Sequence, residues 1–198
     1  MPKPRGTTAK SDQTRQAIED AAKILFAANG FERTTLREIG TRAGIDPAMI
    51  IRYFGGKDAL FARVAMPDLK LPALASVARD SIGETLVRHF LEQWEGKAGG
   101  GGMPVLLRSA ASNDEAAARL RDIFRAQILP AIAAAGPAET APIRAGLVAS
   151  QLLGLALTRY VLKLPPVVAL PMEVIVREVG ATIQRYATGD GAGGLPAA

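Results

Sequence analysis

Residues 34–61 read TTLREIGTRAGIDPAMIIRYFGGKDALF, and this stretch decides the fold. Thr35 followed three residues later by Glu38 is a capping box, which predicts a helix opening at Leu36. Gly44 after Ala43 predicts its end, since glycine is the usual residue just past a helix C-terminus. Asp46 offers a side-chain oxygen at an N-cap, and Pro47 suits the first helical position, so a second helix opens about three residues after the first closes. Two short helices joined by a tight glycine turn form a helix-turn-helix, whose second member lies in a DNA major groove. Ile39, Ile45 and Ile50 are placed to share a small core, and Gly40 falls where the helices cross. Glycine inside a helix costs about 1 kcal/mol against alanine, which suggests that close approach is wanted there. An ordinary helical hairpin is the alternative, but it has no need of the basic and aromatic residues that follow.

Those residues carry a resemblance. Gly30-Phe31, Thr34-Thr35, Ile39-Gly40, Ala43-Gly44-Ile45 and the run from Tyr53 to Phe61 resemble the DNA-binding domain of TetR-family transcriptional regulators. The resemblance covers about the first third of the chain. It implies an all-α protein with a three-helix DNA-binding head and a C-terminal helical domain for ligand binding and dimerisation. Three positions depart from the family pattern: glycine replaces alanine at Gly40, aspartate replaces serine at Asp46, and isoleucine replaces tyrosine at Ile51. The last change removes a hydroxyl that customarily contacts DNA.

Composition agrees with a packed protein, and no motif points to an enzyme. The chain has 198 residues, 48% of them hydrophobic, which is ample for a core. It has no cysteine, which excludes disulfides and thiolate metal sites, and a single histidine, which excludes a histidine-rich one. His89 beside Phe90 reads as structural, Asp114-Glu115 as a favourable charge pair at a helix start, and no catalytic triad or carboxylate pair stands out. Nothing in the sequence calls for a cofactor. No signal peptide is evident and no apolar run is expected to cross a bilayer, so a cytoplasmic protein with no membrane partner is the expectation. The net charge is +5, and residues 1–65 hold 11 lysines and arginines against 7 acids, most of the excess. That asymmetry is what a polyanion-binding head joined to a near-neutral body shows.

Four regions follow. Residues 1–10, with Lys3, Arg5 and Lys10, read as a flexible basic arm that lies along DNA or is simply solvated. Residues 11–65 form the head, whose first helix ends near Gly30 and whose Phe31 plugs the core. Residues 66–188 form the helical body. Its helices are predicted over 81–95, 104–110, 114–135 with a kink at Pro130, 142–164 and 172–187, with a mobile glycine loop at 96–102. Residues 189–198 read as a disordered tail.

The recognition helix leaves Pro47, Ala48, Met49, Ile51 and Arg52 for the groove once Ile50 points inward. The apolar ones can touch thymine methyls, whereas Arg52, and Arg37 from the preceding helix, can grip guanine. Thr35, Thr41, Tyr53 and Lys57 suit phosphates of double-stranded DNA. In the body, helix 142–164 is apolar nearly all round, so both sides must be covered, one of them by a second subunit. Leu147, Ser150, Gly154, Leu157, Thr158 and Val161 are the candidates for that homodimer face, although the small-residue stripe could also pack within one chain. The resemblance implies an effector cavity in the body. Phe90, Trp94, Phe124 and Gln127 are candidates to line it, with Arg108 or Gln151 as polar handles; filling the core is the other role open to them. A dimeric repressor released from an inverted-repeat operator by a small, largely apolar ligand is the expectation. Two alternatives are a DNA-binding regulator without an effector, and a helical small-molecule binder or enzyme whose head has lost DNA binding.

Overall fold

The computed structural model describes residues 6–96 and 102–189. Among these every regular element is helical. The chain divides into two compact units, one of Met1–Pro67 with Gly101–Arg119, the other of Asp68–Gly100 with Leu120–Ala198. The expected basic arm lies partly outside the described residues, and Gly6 is already helical. Most of the glycine loop and nearly all of the tail also lie outside them.

In the first unit α1 (Gly6–Arg33) is broken at Gly30, whose φ of 76° and ψ of 174° turn the chain out of the helix. Phe31 follows the break and closes the core: Phe26 and Phe31 each meet the Phe61 ring at 4.9 Å, both edge to face. Ile18, Ala22, Ile39, Ile50 and Leu60 complete that core with essentially no exposure. Helices α2 (Leu36–Ala43), α3 (Pro47–Phe54) and α4 (Lys57–Val64) follow where the turn chemistry places them. Arg63 on α4 pairs with Glu19 at 2.6 Å and with Glu115, and Arg119 Nε donates to the Arg63 carbonyl at 2.9 Å. These bonds, with α6 (Met103–Ala110) packed on α4, place residues 101–119 with the head. A boundary at residue 66 alone does not anticipate that return of the chain.

In the second unit α5 (Ile82–Glu95) and α11 (Met172–Thr188) are the most extensively packed pair, and α11 also packs on α9 (Ala141–Ala156). The α5–α11 approach is set by Gly83: a Cβ there would stand 2.2 Å from the Gly180 carbonyl oxygen. Gln184 ties the same crossing, accepting from the Gly83 amide at 2.7 Å and donating to the Arg79 carbonyl at 2.6 Å. Leu86, Val87, Leu91, Ile132, Val148, Ile175 and Ile183 form the core.

The long helix expected over 114–135 is α7 (Asp114–Ile123), a π turn (Phe124–Ile128) and α8 (Leu129–Ala133). The widened turn falls just before Pro130, whose ring and missing N–H interrupt regular helix. A second π turn (Leu157–Val161) ends α9 before the predicted limit, and a short α10 (Pro165–Val168) precedes α11.

Two further expectations change. Ala138–Val161 spans 24 residues and holds an 18-residue window of mean hydropathy 1.3, so one stretch among the described residues is long and apolar enough to cross a membrane by length and composition. It reaches that length because helical turns continue on both sides of α9. Within it, however, Arg144 is fully buried and bonded to protein carbonyls, a residue that an apolar reading of this helix passed over. Its guanidinium donates to the carbonyls of Ile132 at 3.1 Å, Pro137 at 2.6 Å and Ala187, and to Thr140 Oγ1 at 3.1 Å. Burial, then the Arg79 charge, lowers its pKa from the ordinary arginine value.

Candidate nucleic-acid interface

The α2–α3 unit is assembled from local bonds. Thr35 Oγ1 accepts from the Glu38 amide at 3.2 Å while Glu38 Oε2 accepts from the Thr35 amide at 2.8 Å. Those bonds, the backbone amide first, hold the Glu38 carboxyl below its usual pKa. Gly44 takes φ 68° to end α2, and the Ile45 amide returns to the Gly40 carbonyl at 2.9 Å. A Cβ on Gly40 would lie 2.6 Å from the Ile45 carbonyl oxygen and 3.2 Å from the Pro47 ring, so glycine permits the turn to close over α2. Asp46 Oδ1 accepts from the Ala48 amide at 2.7 Å, opening α3 with Pro47 in its first turn. Ile39 and Ile50 are fully buried and Ile45 half-buried, so the three isoleucines orient α3.

What α3 then presents follows from that orientation. Ile51 is 54% exposed, and Ala48 and Arg52 are exposed beside it, while Pro47 and Met49 are half-buried. Thr35, Arg37 and Thr41 on or next to α2 are also exposed. Tyr53 is half-buried. Lys57 is turned partly to its own fold: its Nζ donates to the Glu32 carbonyl at 3.3 Å and lies 4.2 Å from the centre of the Phe31 ring. Thr34, fully buried, donates to the carbonyls of Leu25 at 3.1 Å and Gly30 at 2.8 Å, sealing the break in α1. One cation escaped sequence reasoning. Arg15 on α1 places its guanidinium carbon 5.3 Å from the centre of the Tyr53 ring, and no local motif signals that long-range pairing.

Of the six candidate ligand residues, Arg108 belongs to the first unit and the other five to the second. Trp94 is buried and stacks on Tyr160 at 4.9 Å, with Phe90 at 5.5 Å from Trp94. Burial, then the bond to Glu95 at 3.0 Å, pushes the Tyr160 phenol above its usual pKa. Phe90 and Phe124 pack against the core. Gln127 Oε1 accepts from the Leu69 amide at 2.8 Å, and His89 Nε2 bonds the Leu69 carbonyl at 2.8 Å, so both side chains anchor residue 69. Arg108 is exposed in the first unit, and Gln151 is exposed on α9. Separately, a cavity of about 300 Å³ is lined by Pro72, Ser81, Glu84, Thr85, Arg88, His89 and Glu92, none of them among those six.

The candidate dimer residues lie on a different kind of surface. Ser150 and Gly154 are exposed, as is Leu157, while Leu147, Thr158 and Val161 are half-buried. Among the described residues, no atom beyond their own helix backbone stands within 4 Å of a Cβ built on Gly146 or Gly154. Ser150 Oγ donates to the Leu147 carbonyl and Thr158 Oγ1 to the Gly154 carbonyl, each at 2.8 Å, so the hydroxyls of this face are satisfied on their own helix.

Comparison with known proteins gives the same organisation. Residues 18–64 match the family "Bacterial regulatory proteins, tetR family", and residues 80–187 match "Tetracyclin repressor-like, C-terminal domain". The HTH-type transcriptional repressor BdcR of Escherichia coli (strain K12) is 38% identical over 81 residues, which cover 39% of this chain and 41% of that protein. The HTH-type transcriptional regulator SrpR of Pseudomonas putida is 40% identical over 53 residues, covering 27% of this chain and 25% of that one. The chain thus matches less than half the length of these curated relatives. Among solved structures, a TetR-family regulator from Streptomyces coelicolor A3 is 31% identical, with 94% of this chain and 99% of that chain covered and a TM-score of 0.42. A transcriptional regulator from Rhodococcus sp. Rha1 has a TM-score of 0.51 at 21% identity, with 88% and 96% covered. With both its head and its body matched, the chain belongs to the TetR family of transcriptional regulators.

Proposed function

We propose that this regulator is a homodimeric repressor that leaves an inverted-repeat operator when a small, largely apolar ligand binds its body. The observation that carries the DNA half is the capped α2–α3 unit, which exposes Ala48, Ile51 and Arg52 together. Apolar contacts of Pro47, Ala48, Met49 and Ile51 suit thymine methyls, and Arg52 or Arg37 suits guanine, while Thr35, Thr41, Tyr53 and Lys57 suit the phosphates. Such work is done in the cytoplasm, beside the chromosome, and requires no catalytic step.

The α9 face supports assembly. Gly154 and Leu157 stand uncovered in one chain, and Leu162 beyond them is 57% exposed. An apolar helix of this kind needs a cover. A second copy supplies it with two-fold symmetry, which presents two equivalent heads to an inverted repeat. The buried, carbonyl-bonded Arg144 favours this cover over lipid for the Ala138–Val161 stretch.

A DNA-binding regulator without a small-molecule effector is a second reading. It is favoured by Gln127, whose side-chain carbonyl is spent on Leu69, and by Trp94, which is stacked and buried. A thermal-shift screen of small apolar compounds, followed by operator titration with each hit, separates the two. A ligand that prefers the released state must weaken DNA binding, and by linkage DNA must weaken the ligand equally. Unchanged operator affinity at saturating hit overturns the effector half; a parent protein that binds as a monomer overturns the dimer.

A further inference from the structure

Tyr53 lies in the last turn of α3, one residue after Arg52, and is half-buried. A recognition helix reads bases from its N-terminal part, so its far end comes out beside the sugar-phosphate backbone. At that end one face of the Tyr53 ring carries a charge from elsewhere in the fold. The guanidinium carbon of Arg15 lies 5.3 Å from the ring centre, while Phe54 meets the ring at 6.5 Å and 62°. Arg15 sits on α1, three residues before the stretch that matches the family begins, and its side chain is exposed.

The chemistry of this pair is specific. A guanidinium resting on an aromatic face is held by cation–π attraction and keeps its N–H edge pointing away from the ring. That edge matches the paired oxygens of a phosphate. Glu19, one turn further along α1, is engaged by Arg63 at 2.6 Å, and Asp20 accepts from Gln16 at 2.9 Å. The ring therefore positions a cation that α3 itself does not carry, whereas Lys57 turns its ammonium toward the Glu32 carbonyl and the Phe31 ring.

We propose that Arg15 is a phosphate-contacting residue of the DNA interface and that the Tyr53 ring is the positioning residue that holds its guanidinium at the C-terminal end of α3. This rests on the reading of α3 as the DNA-reading helix. Arg15 then contributes to affinity for any duplex and not to the choice of sequence.

The test is a salt titration of binding to two duplexes, one selected by the parent protein from a random pool and one of unrelated sequence. Arg15→Ala is expected to weaken both alike and to reduce the slope of log K against log[salt] by about 0.9. The parent's loss of affinity between about 50 and about 200 mM salt then shrinks about 3.5-fold. Arg15→Lys should restore most of the slope. Tyr53→Phe should keep it, Tyr53→Leu should lose it as Arg15→Ala does, and the double variant should lose no more than either. Thermal melts check that each variant is folded. An unchanged slope in folded Arg15→Ala overturns the phosphate contact, and an unchanged slope in folded Tyr53→Leu overturns the positioning role. A parent that binds neither duplex in a salt-dependent way overturns the DNA reading itself, a result distinct from both.

Discussion

The turn between α2 and α3 and the crossing of α5 with α11 are both built on glycine, for opposite reasons. At Gly44 the backbone adopts φ 68°, and a Cβ would meet no described residue beyond its chain neighbours within 4 Å; the residue is there for its conformation. At Gly83 the backbone is ordinary helix, and a Cβ would stand 2.2 Å from the Gly180 carbonyl and 2.6 Å from the Gln184 amide nitrogen; the residue is there for space. Conformation is a local property and leaves local signs: a cap before, a helix run on each side. Space is set by a residue nearly a hundred positions away and leaves none. The head is therefore a product of short-range rules, and the body a product of long-range ones.

The largest effect should come from the body's long-range polar bonds. Arg144→Ala removes the guanidinium that donates to the carbonyls of Ile132, Pro137 and Ala187, the bonds to Ile132 and Ala187 being buried. A loss of about 3–6 kcal/mol is expected, at roughly 1.5–3 kcal/mol for each of the two buried bonds to the charged group. Urea unfolding measures it; a shift below about 1 kcal/mol means that these bonds do not hold the body together. Next comes Gly83→Ala, which forces α5 away from α11. It should cost about 1–3 kcal/mol as overpacking, even though alanine is the better helix former. A stabilised Gly83→Ala protein would erase the contrast drawn between the two glycines.

Legibility in the sequence follows the same division. The capping box at Thr35 and Glu38, the Gly44 turn, the Asp46 cap and the buried Ile39 and Ile50 were all readable, because each bond spans at most a few residues. Phe31 was readable as a plug because it follows a helix-ending glycine. Arg15 on Tyr53 was not, since no period links α1 to the end of α3. Nor were the π turns, Arg144 at three carbonyls, or the clamp of Gln127 and His89 on Leu69, each set by a distant partner. Gln127, expected among the residues lining a cavity, accepts from the Leu69 amide, a partner 58 residues away that no local pattern signals.

A smaller effect sharpens the local half. Thr35→Ala removes the side chain that caps α2 and should cost about 1 kcal/mol of stability. Circular dichroism melts of the variant check it, and no change would show that the head does not depend on its cap. The smallest effect is a dependence on pH. The Glu38 carboxyl is lowered by the Thr35 amide and hydroxyl, so its folded pKa lies below its unfolded one. Its contribution is present above the ordinary carboxylate range and is lost as pH falls through the folded value. Glu38→Gln should flatten that part of the acid-side stability profile, and an unaltered profile would count against the capping role.

The central claim is that a locally specified head, presented twice by an apolar body, reads DNA. Selection of duplexes from a random pool by the parent protein, with the stoichiometry of the selected complex measured by sedimentation, tests it most directly. The account predicts an inverted repeat bound by two protomers, with half-site centres about 34–36 Å apart or a multiple of that. It also predicts that Arg52→Ala relaxes one position of each half-site by about 1–3 kcal/mol. Failure to enrich any sequence, or enrichment of a lone half-site bound by one protomer, would contradict it.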